Sequence, residues 1–435
     1  MFSSKLSCSD LSLYNWYKRY IQRFPEWSAA EEIRKETYGE PSVASSKLSF
    51  VPKNDQISRC ICIEPTLNTY FQLGFGALLE SRLKFRYGID LSDQQFKNRD
   101  LARLGSITDN LSTIDLSSAS DSISLRMLHW LLPKEFYTQL VKYRTPSVEV
   151  EGVGTVPMFM VSTMGNGFTF PLQTMIFASV VIACLRWRGL TPQGYPLGQS
   201  TSDNLWGVFG DDIICPRSVT QDVIHVLSLL GFSVNSDKTF VEGPFRESCG
   251  SDFFLGSDIR GVYIKKLTDH ASFYTAVNLL TRFSTKSGIH LFRLIRFLLS
   301  KVPRLVVPRW EDLSSGIHAP SFLEDVRKLS RDINLQGKSY RVLIPHQRAM
   351  LISEDAIRVP RGSKKRIYNP NGLLISLLQG SINASKILVR QDDVKWRRKR
   401  RVTSFWDMIP ASKRDRFDYG LDWRRWEIVA YSLLS

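Results

Sequence analysis

The order of apolar and polar residues divides the chain into helical and extended stretches. "SLYNWYKRYIQRF" (12–24) is amphipathic, with Leu13, Trp16, Tyr17 and Tyr20 on one helical face. "LNTYFQLGFGALLESRLKFRY" (67–87) predicts a second helix, in which Gly74 and Gly76 suit close packing better than phosphate binding. "FPLQTMIFASVVIACL" (170–185) is apolar almost throughout; it is too short to span a bilayer, contains Gln173 and predicts a buried core helix. "VTQDVIHVLSLLGF" (219–232) has helical spacing and stops at Gly231, a C-terminal cap. Extended patterns lie between these helices. "LSTIDLSSASDSIS" (111–124) predicts a strand ending in polar residues, and "NLWGVFGDDIICP" (204–216) predicts two short strands with a turn at Gly210 and Asp211. "STMGNGFTF" (162–170) is a glycine-containing loop leading into the apolar helix. After about residue 265 the pattern is mostly helical, as in "HLFRLIRFLLSKV" (290–302).

The chain has 435 residues, 43% of them hydrophobic, which predicts two or three subdomains. Its net charge of +16 favours a polyanionic partner, nucleic acid above an anionic membrane. The six cysteines form no CxxC pair and the histidines are scattered, which argues against structural zinc and for a reducing cytosol. The start of the chain lacks the apolar core of a secretion signal.

Three stations carry the candidate chemistry. The first is Gly210-Asp211-Asp212, where like charges sit side by side between apolar flanks. Such a pair repels unless a cation neutralises it, and hard oxygen ligands suit magnesium; a solvated hairpin turn has the same composition. The second is Asp115, which ends a strand and could reach the edge of the same sheet, or could cap a helix. Asp121 follows it and suits a cap or a ligand hydrogen bond. Two metal ions held by carboxylates from separate segments can clamp the attacking and leaving oxygens of a phosphoryl transfer. The third is the loop of Gly165, Asn166, Gly167 and Thr169, whose small and neutral polar groups could approach a sugar or template backbone, or simply turn the chain into its helix. Lys53, Arg59, Lys238 and Arg246 are cations flanking these stations, suited to a triphosphate or to solvent.

Taken together and in order, "FVPKN", "TIDLSSASDSIS", "STMGNGFTF", "GDDIICP" and "GPFRESCG" resemble the RNA-directed RNA polymerases of the leviviruses, small positive-strand RNA phages. The resemblance runs from about Phe50 to Lys266. It implies an α+β right-hand polymerase with an antiparallel palm sheet carrying the Gly-Asp-Asp hairpin. Fingers would occupy 1–110, the palm 111–266 with an inserted finger segment at about 125–160, and a mainly helical thumb with a basic C-terminal region 267–435.

The resemblance also assigns roles. Asp115, Asp211 and Asp212 would bind two Mg2+ ions, with Mn2+ as a substitute. Lys53 and Arg59 would hold the triphosphate, and Asp121, Gly165, Asn166 and Thr169 the incoming nucleotide and template. Lys238 would protonate the leaving pyrophosphate, and Arg246 and Ser248 would support the RNA primer end. Many viral polymerases carry a second aspartate five residues after the first; that position is Ser120 here, with Asp121 next. Family members have a much longer front before the "VPKN" region, where this chain has about fifty residues, so the resemblance implies reduced fingers or a truncated frame.

Implied partners are RNA template and product, nucleoside triphosphates, host elongation factors Tu and Ts and a small-subunit ribosomal protein, in the cytoplasm of an infected bacterium and without a membrane. Two other readings compete. A reverse transcriptase would usually place an aromatic residue or methionine near the aspartate pair, where this chain has Phe209-Gly210, and would require deoxynucleotides; an inactive RNA-binding scaffold would bind RNA without metal-dependent incorporation. The basic runs "RGSKKR" (361–366) and "WRRKRR" (396–401) suit a solvated charge run or an RNA contact with Trp396 stacked on a base.

Overall fold

The computed structural model describes residues 5–53, 56–194, 204–264, 267–323, 337–346, 348–352, 357–358, 386–389, 395–408 and 421–434. They fall into two compact units, with the change between Asp258 and Ile259.

In chain order the first unit contains helices α1 (Leu11–Ile21) and α2 (Pro25–Tyr38), strands β1 (Ser46–Pro52) and β2 (Ser58–Ile63), and helices α3 (Thr66–Tyr87) and α4 (Gln94–Thr108). Strands β3 (Leu111–Ile114) and β4 (Leu116–Ser117), helices α5 (Leu125–Leu131) and α6 (Lys134–Tyr143), and strands β5 (Ser147–Val150) and β6 (Gly154–Pro157) follow. Helix α7 (Thr169–Trp187), strands β7 (Gln193–Gly194), β8 (Leu205–Phe209) and β9 (Asp212–Pro216), helix α8 (Thr220–Leu229), and strands β10 (Ser233–Val234), β11 (Phe245–Ser248) and β12 (Ser251–Phe254) come next, and the unit also has two-residue strands at Ser7–Cys8, Ser42–Val43 and Ser257–Asp258.

The central sheet runs β3-β9-β8-β7, antiparallel except for the parallel pairing of β8 with β7. Its strands are apolar almost throughout because both faces are covered. Trp206, Val208, Ile213 and Cys215 join the core that contains Leu172, Phe177 and Val181 of α7, while Leu205 and Ile214 pack with Leu101 and Ala102 of α4. Helix α7 is long and apolar enough to cross a membrane by composition, but most of it is buried inside the unit, as the apolar run predicts for a core helix. Gly76 on α3 faces the backbone of Gly167, so a side chain there has no room, whereas a side chain at Gly74 meets nothing. On α1 the buried residues are Leu13, Tyr14, Tyr17 and Ile21, and Tyr20 points outward.

The segment at 125–160 leaves the central sheet. Its strands β5 and β6 extend a second sheet, ordered β2-β1-β5-β6, whose other strands come from residues 46–63. Thus the chain before the central sheet and the excursion from it build one sheet together.

The second unit packs helices α9 (His270–Ser287), α10 (Phe292–Leu299) and α11 (Trp423–Leu434) in one core. It is less helical than the sequence pattern predicts. Strand β13 (Lys338–His346) pairs antiparallel along its whole length with β14 (Lys395–Thr403). The "WRRKRR" run is therefore part of a strand. It escapes the usual alternation because Tyr340, Val342 and Leu343 of its partner supply the buried apolar surface. The "RGSKKR" run and the boundary at Lys266 lie outside the described residues.

Candidate active site

The hairpin of β8 and β9 pairs Phe209 with Asp212, which leaves Gly210 and Asp211 as its turn. Gly210 has φ +63°, and a side chain at this position would collide with the Phe170 ring, so glycine is required twice over. Its N–H donates to Thr174 Oγ1 at 3.0 Å, which ties the turn to buried α7. On the other side of β9, Ile213 pairs with Ile114 of β3. Asp115, the next residue, is thereby brought beside Asp212. Register alone gathers the three aspartates at one end of the sheet.

The burial of Asp211 and Asp212 pushes both carboxyls above the ordinary range. Repulsion adds to this, from Asp212 and Asp115 on Asp211 and from Asp115 on Asp212, while the Arg59 guanidinium acts in the opposite sense on Asp211. Asp212 Oδ1 accepts from Ser248 Oγ at 3.1 Å and from the Cys249 N–H at 2.8 Å. Its backbone carbonyl accepts from Asn98 Nδ2 at 3.1 Å. Among the described residues, no three Asp, Glu, His or Cys side chains converge closely enough to make a complete metal cage. The aspartates expected to bind metal are neighbours in the sheet without forming a closed ligand set.

Asp115 is gripped by the segment after α8. Strand β10 pairs Val234 with Leu116, and Asn235 then donates from Nδ2 to Asp115 Oδ2 at 2.8 Å and from its N–H to the Asp115 carbonyl at 3.0 Å. The Asp115 N–H donates to Thr239 Oγ1 at 3.3 Å. Between these two anchors lies Lys238, whose Nζ is 3.9 Å from Glu247 Oε1. Asn235 and Thr239 are absent from the sequence-based site. "VNSDKT" advertises a turn, but nothing in it names a partner 120 residues away.

The glycine loop is held from within. Thr169 Oγ1 donates to the Thr163 carbonyl at 2.9 Å, and Asn166 Oδ1 accepts from the Phe168 N–H at 3.1 Å. A side chain at Gly165 would collide with the Cys62 carbonyl of β2. The close approach that this glycine permits is thus to the chain's own backbone. Asp121 lies in a short 3-10 turn (Ser120–Ser122), and burial raises its carboxyl. With Ser124, Thr163, Cys60 and Cys62 it borders a cavity of about 550 Å³. Arg59 is exposed on β2, and exposed Lys53 closes the hairpin after β1 through its N–H to the Ile57 carbonyl at 2.8 Å.

Two expectations are corrected. Arg246 cannot contact RNA through its guanidinium, which is fully buried. Nε donates to the Leu111 carbonyl, Nη1 to those of Gly243 and Phe245, and Nη2 to Asp109 Oδ1 and the Val241 carbonyl, which uses every N–H. Ser248 is also buried, and its hydroxyl serves Asp212.

A mixed helix-and-sheet chain with paired carboxylates on a hairpin and a third just past the end of the adjoining strand defines the site. A sequence model of the family described as RNA replicase, beta-chain matches residues 11–413, and the chain belongs to that family. The RNA-directed RNA polymerase beta chain of Escherichia phage MS2 is 44% identical over 235 residues, which cover 54% of this chain and 40% of the relative. That of Enterobacteria phage fr is 40% identical over 286 residues, 65% of this chain and 49% of the relative. The RNA-directed RNA polymerase subunit beta of Escherichia virus Qbeta is 40% identical over 245 residues, 56% and 39% respectively. The matched stretches therefore span less than half the length of these curated relatives. Among solved structures, the RNA-dependent RNA polymerase of a human picorbirnavirus has a TM-score of 0.39 at 15% identity, covering 59% of this chain and 55% of that one; so slight a likeness carries no argument.

Proposed function

We propose that this chain is an RNA-directed RNA polymerase that replicates a positive-strand RNA phage genome, with residues 1–110 as fingers, 111–266 as palm with its finger insertion, and 267–435 as thumb and basic C-terminal region. The observation that carries the reading is the register that sets Asp115 beside the Asp211-Asp212 hairpin, with the charge of Asp211 and Asp212 opposed by burial and mutual repulsion. Carboxylates in that condition fit a hard cation. Magnesium is commonly held by one or two carboxylates together with substrate phosphates, so an incomplete protein cage is what such a site needs.

Asp115, Asp211 and Asp212 would hold Mg2+, or Mn2+ in its place. When bound, two such ions acidify an RNA 3′-hydroxyl and neutralise a leaving pyrophosphate. The RNA 3′-oxygen forms a bond to the α-phosphorus of a nucleoside triphosphate as the bond to pyrophosphate breaks. Lys238 delivers a proton to the leaving pyrophosphate. Arg59 and Lys53 bind the triphosphate, and Asp121, Gly165, Asn166 and Thr169 bound the sugar and template space. Asn98 and Ser248 keep Asp212 in position. The partners would be RNA template and product, together with elongation factors Tu and Ts and a small-subunit ribosomal protein, in the cytoplasm of the infected cell.

The test is incorporation of labelled ribonucleotide on an RNA template by this chain coexpressed with bacterial elongation factors. It is run with and without magnesium, beside Asp211→Asn. Magnesium-dependent incorporation that the substitution abolishes is expected. Salt-sensitive RNA binding with no incorporation, persisting after a relative's front segment is added, would overturn the polymerase reading in favour of an inactive RNA-binding protein.

A further inference from the structure

The basic ribbon of the second unit takes no part in the site just described, and its charges are arranged unevenly. Both ends of β14 are tied down. At one end the Trp396 indole N–H donates to Asp269 Oδ2 at 3.2 Å, and the ring packs on the helical core, so it is not a platform for a base. At the other end Arg401 Nη1 meets both oxygens of buried Glu311 at 2.7 Å, and Glu311 Oε1 also accepts from Tyr340 Oη at 2.6 Å. Between these anchors Arg397, Arg398, Lys399 and Arg400 are all exposed, and no acidic partner meets any of them among the described residues. Arg400 also pairs in register with exposed Arg341 on β13. Like charges directly opposite each other across a ladder destabilise a ribbon.

We propose that this outer strand is a docking surface for the phosphate backbone of RNA. The ribbon is held rigid at both ends by specific contacts, which leaves its central cations to an outside anion. Arginine forks match phosphate geometry; Arg397 and Lys399 lie on one face of the strand and Arg398 and Arg400 on the other, and cations spaced along both faces of an outer strand suit a repeating polyanion better than a single small anion. Contacts of this kind carry no base information, so binding should be independent of sequence and steeply dependent on salt. The surface requires nothing of the aspartate site, and its test stands if nucleotide incorporation fails.

The test measures binding of a short unstructured RNA to the full chain across a salt series. It compares wild type with a variant carrying Arg397→Thr, Arg398→Thr, Lys399→Thr and Arg400→Thr. A second variant removes equal charge from exposed positions elsewhere, by Arg19→Ser, Arg23→Ser, Arg82→Ser and Arg86→Ser. The ribbon variant should lower the slope of log K against log salt by about 3 and weaken binding at ~0.1 M salt by at least tenfold, with little change in the second variant. Equal losses in both variants, or no loss in the ribbon variant, would overturn the proposal. So would loss of binding to anionic vesicles with RNA binding intact, which would assign the ribbon to a membrane surface. Acetylation of wild-type protein with and without RNA gives a readout free of folding effects. RNA should protect Lys399, and equal modification in both conditions counts against the surface.

Discussion

Arg246 and Ser248 lie two residues apart on one strand and have unlike tasks. The guanidinium of Arg246 spends every N–H on carbonyls and on Asp109 in the interior, so it holds the strand against the central sheet. Removing that guanidinium leaves several carbonyls without their donor, at a cost of about 1–3 kcal/mol for each one that stays buried and unsatisfied. Arg246→Gln should therefore lower the melting temperature by several degrees and leave the salt slope of RNA binding unchanged; a lower slope would return Arg246 to the RNA surface. Ser248 provides one of two donors to a single oxygen of Asp212. Ser248→Ala should barely move the melting temperature but reduce incorporation by about 10–100-fold, the usual effect of losing a partner that orients a ligand. Ser248→Thr keeps a hydroxyl and should recover part of the rate. Equal activity in Ser248→Ala and wild type would make this contact incidental.

At the scale of elements, the segment from Ser233 to Thr239 acts as a bracket. Asn235 holds the carboxylate and carbonyl of Asp115, Thr239 holds its N–H, and Lys238 lies between. Asn235→Ala should lower the turnover rate by about 10–100-fold with a smaller change in KM for nucleotide, and Asn235→Asp should not restore it, because a carboxylate cannot donate. A rise in KM alone would place Asn235 with binding. This bracket also marks the limit of what the sequence discloses. The Gly-Asp-Asp hairpin, the strand before Asp115 and the apolar helix were legible because each is signalled by its own residues: short apolar stretches, a turn glycine, a long and nearly continuous apolar run. Asn235, the burial of Arg246 and the pairing of β13 with β14 depend on residues far along the chain. A local pattern cannot report them, and a basic residue looks alike whether it faces water or, like Arg246, four carbonyls and a carboxylate. The ribbon was hidden most deeply, since Arg397 to Arg401 of its outer strand are all cations and show no apolar alternation.

The whole molecule contains two units with separate cores, and acid should act on them in opposite directions. In the first unit burial raises the carboxyls of Asp211, Asp212, Glu64 and Asp121. The folded unit binds protons at these sites more readily than the unfolded chain. Its stability without divalent metal should thus rise as the pH falls from neutral towards the ordinary carboxyl range near 4. Asp10, Glu40, Asp90 and Asp222, whose carboxyls are lowered, weigh the other way only below that range. In the second unit His318 is buried, and desolvation, reinforced by Arg282, depresses it from the ordinary 6.5 to about 3. It stays neutral in the fold, with its backbone N–H on Asn278 Oδ1 at 2.9 Å. Below about 6.5 the unfolded chain takes up a proton that the folded unit refuses, so stability should fall by up to ~1.4 kcal/mol per pH unit. Calorimetry in chelator at pH 7 and pH 5 should show one transition moving down while the other holds or moves up. His318→Asn should flatten the falling transition, and adding magnesium at pH 7 should raise only the other. Two transitions that fall together, with no effect of His318→Asn, would mean that neither set of buried groups governs its unit.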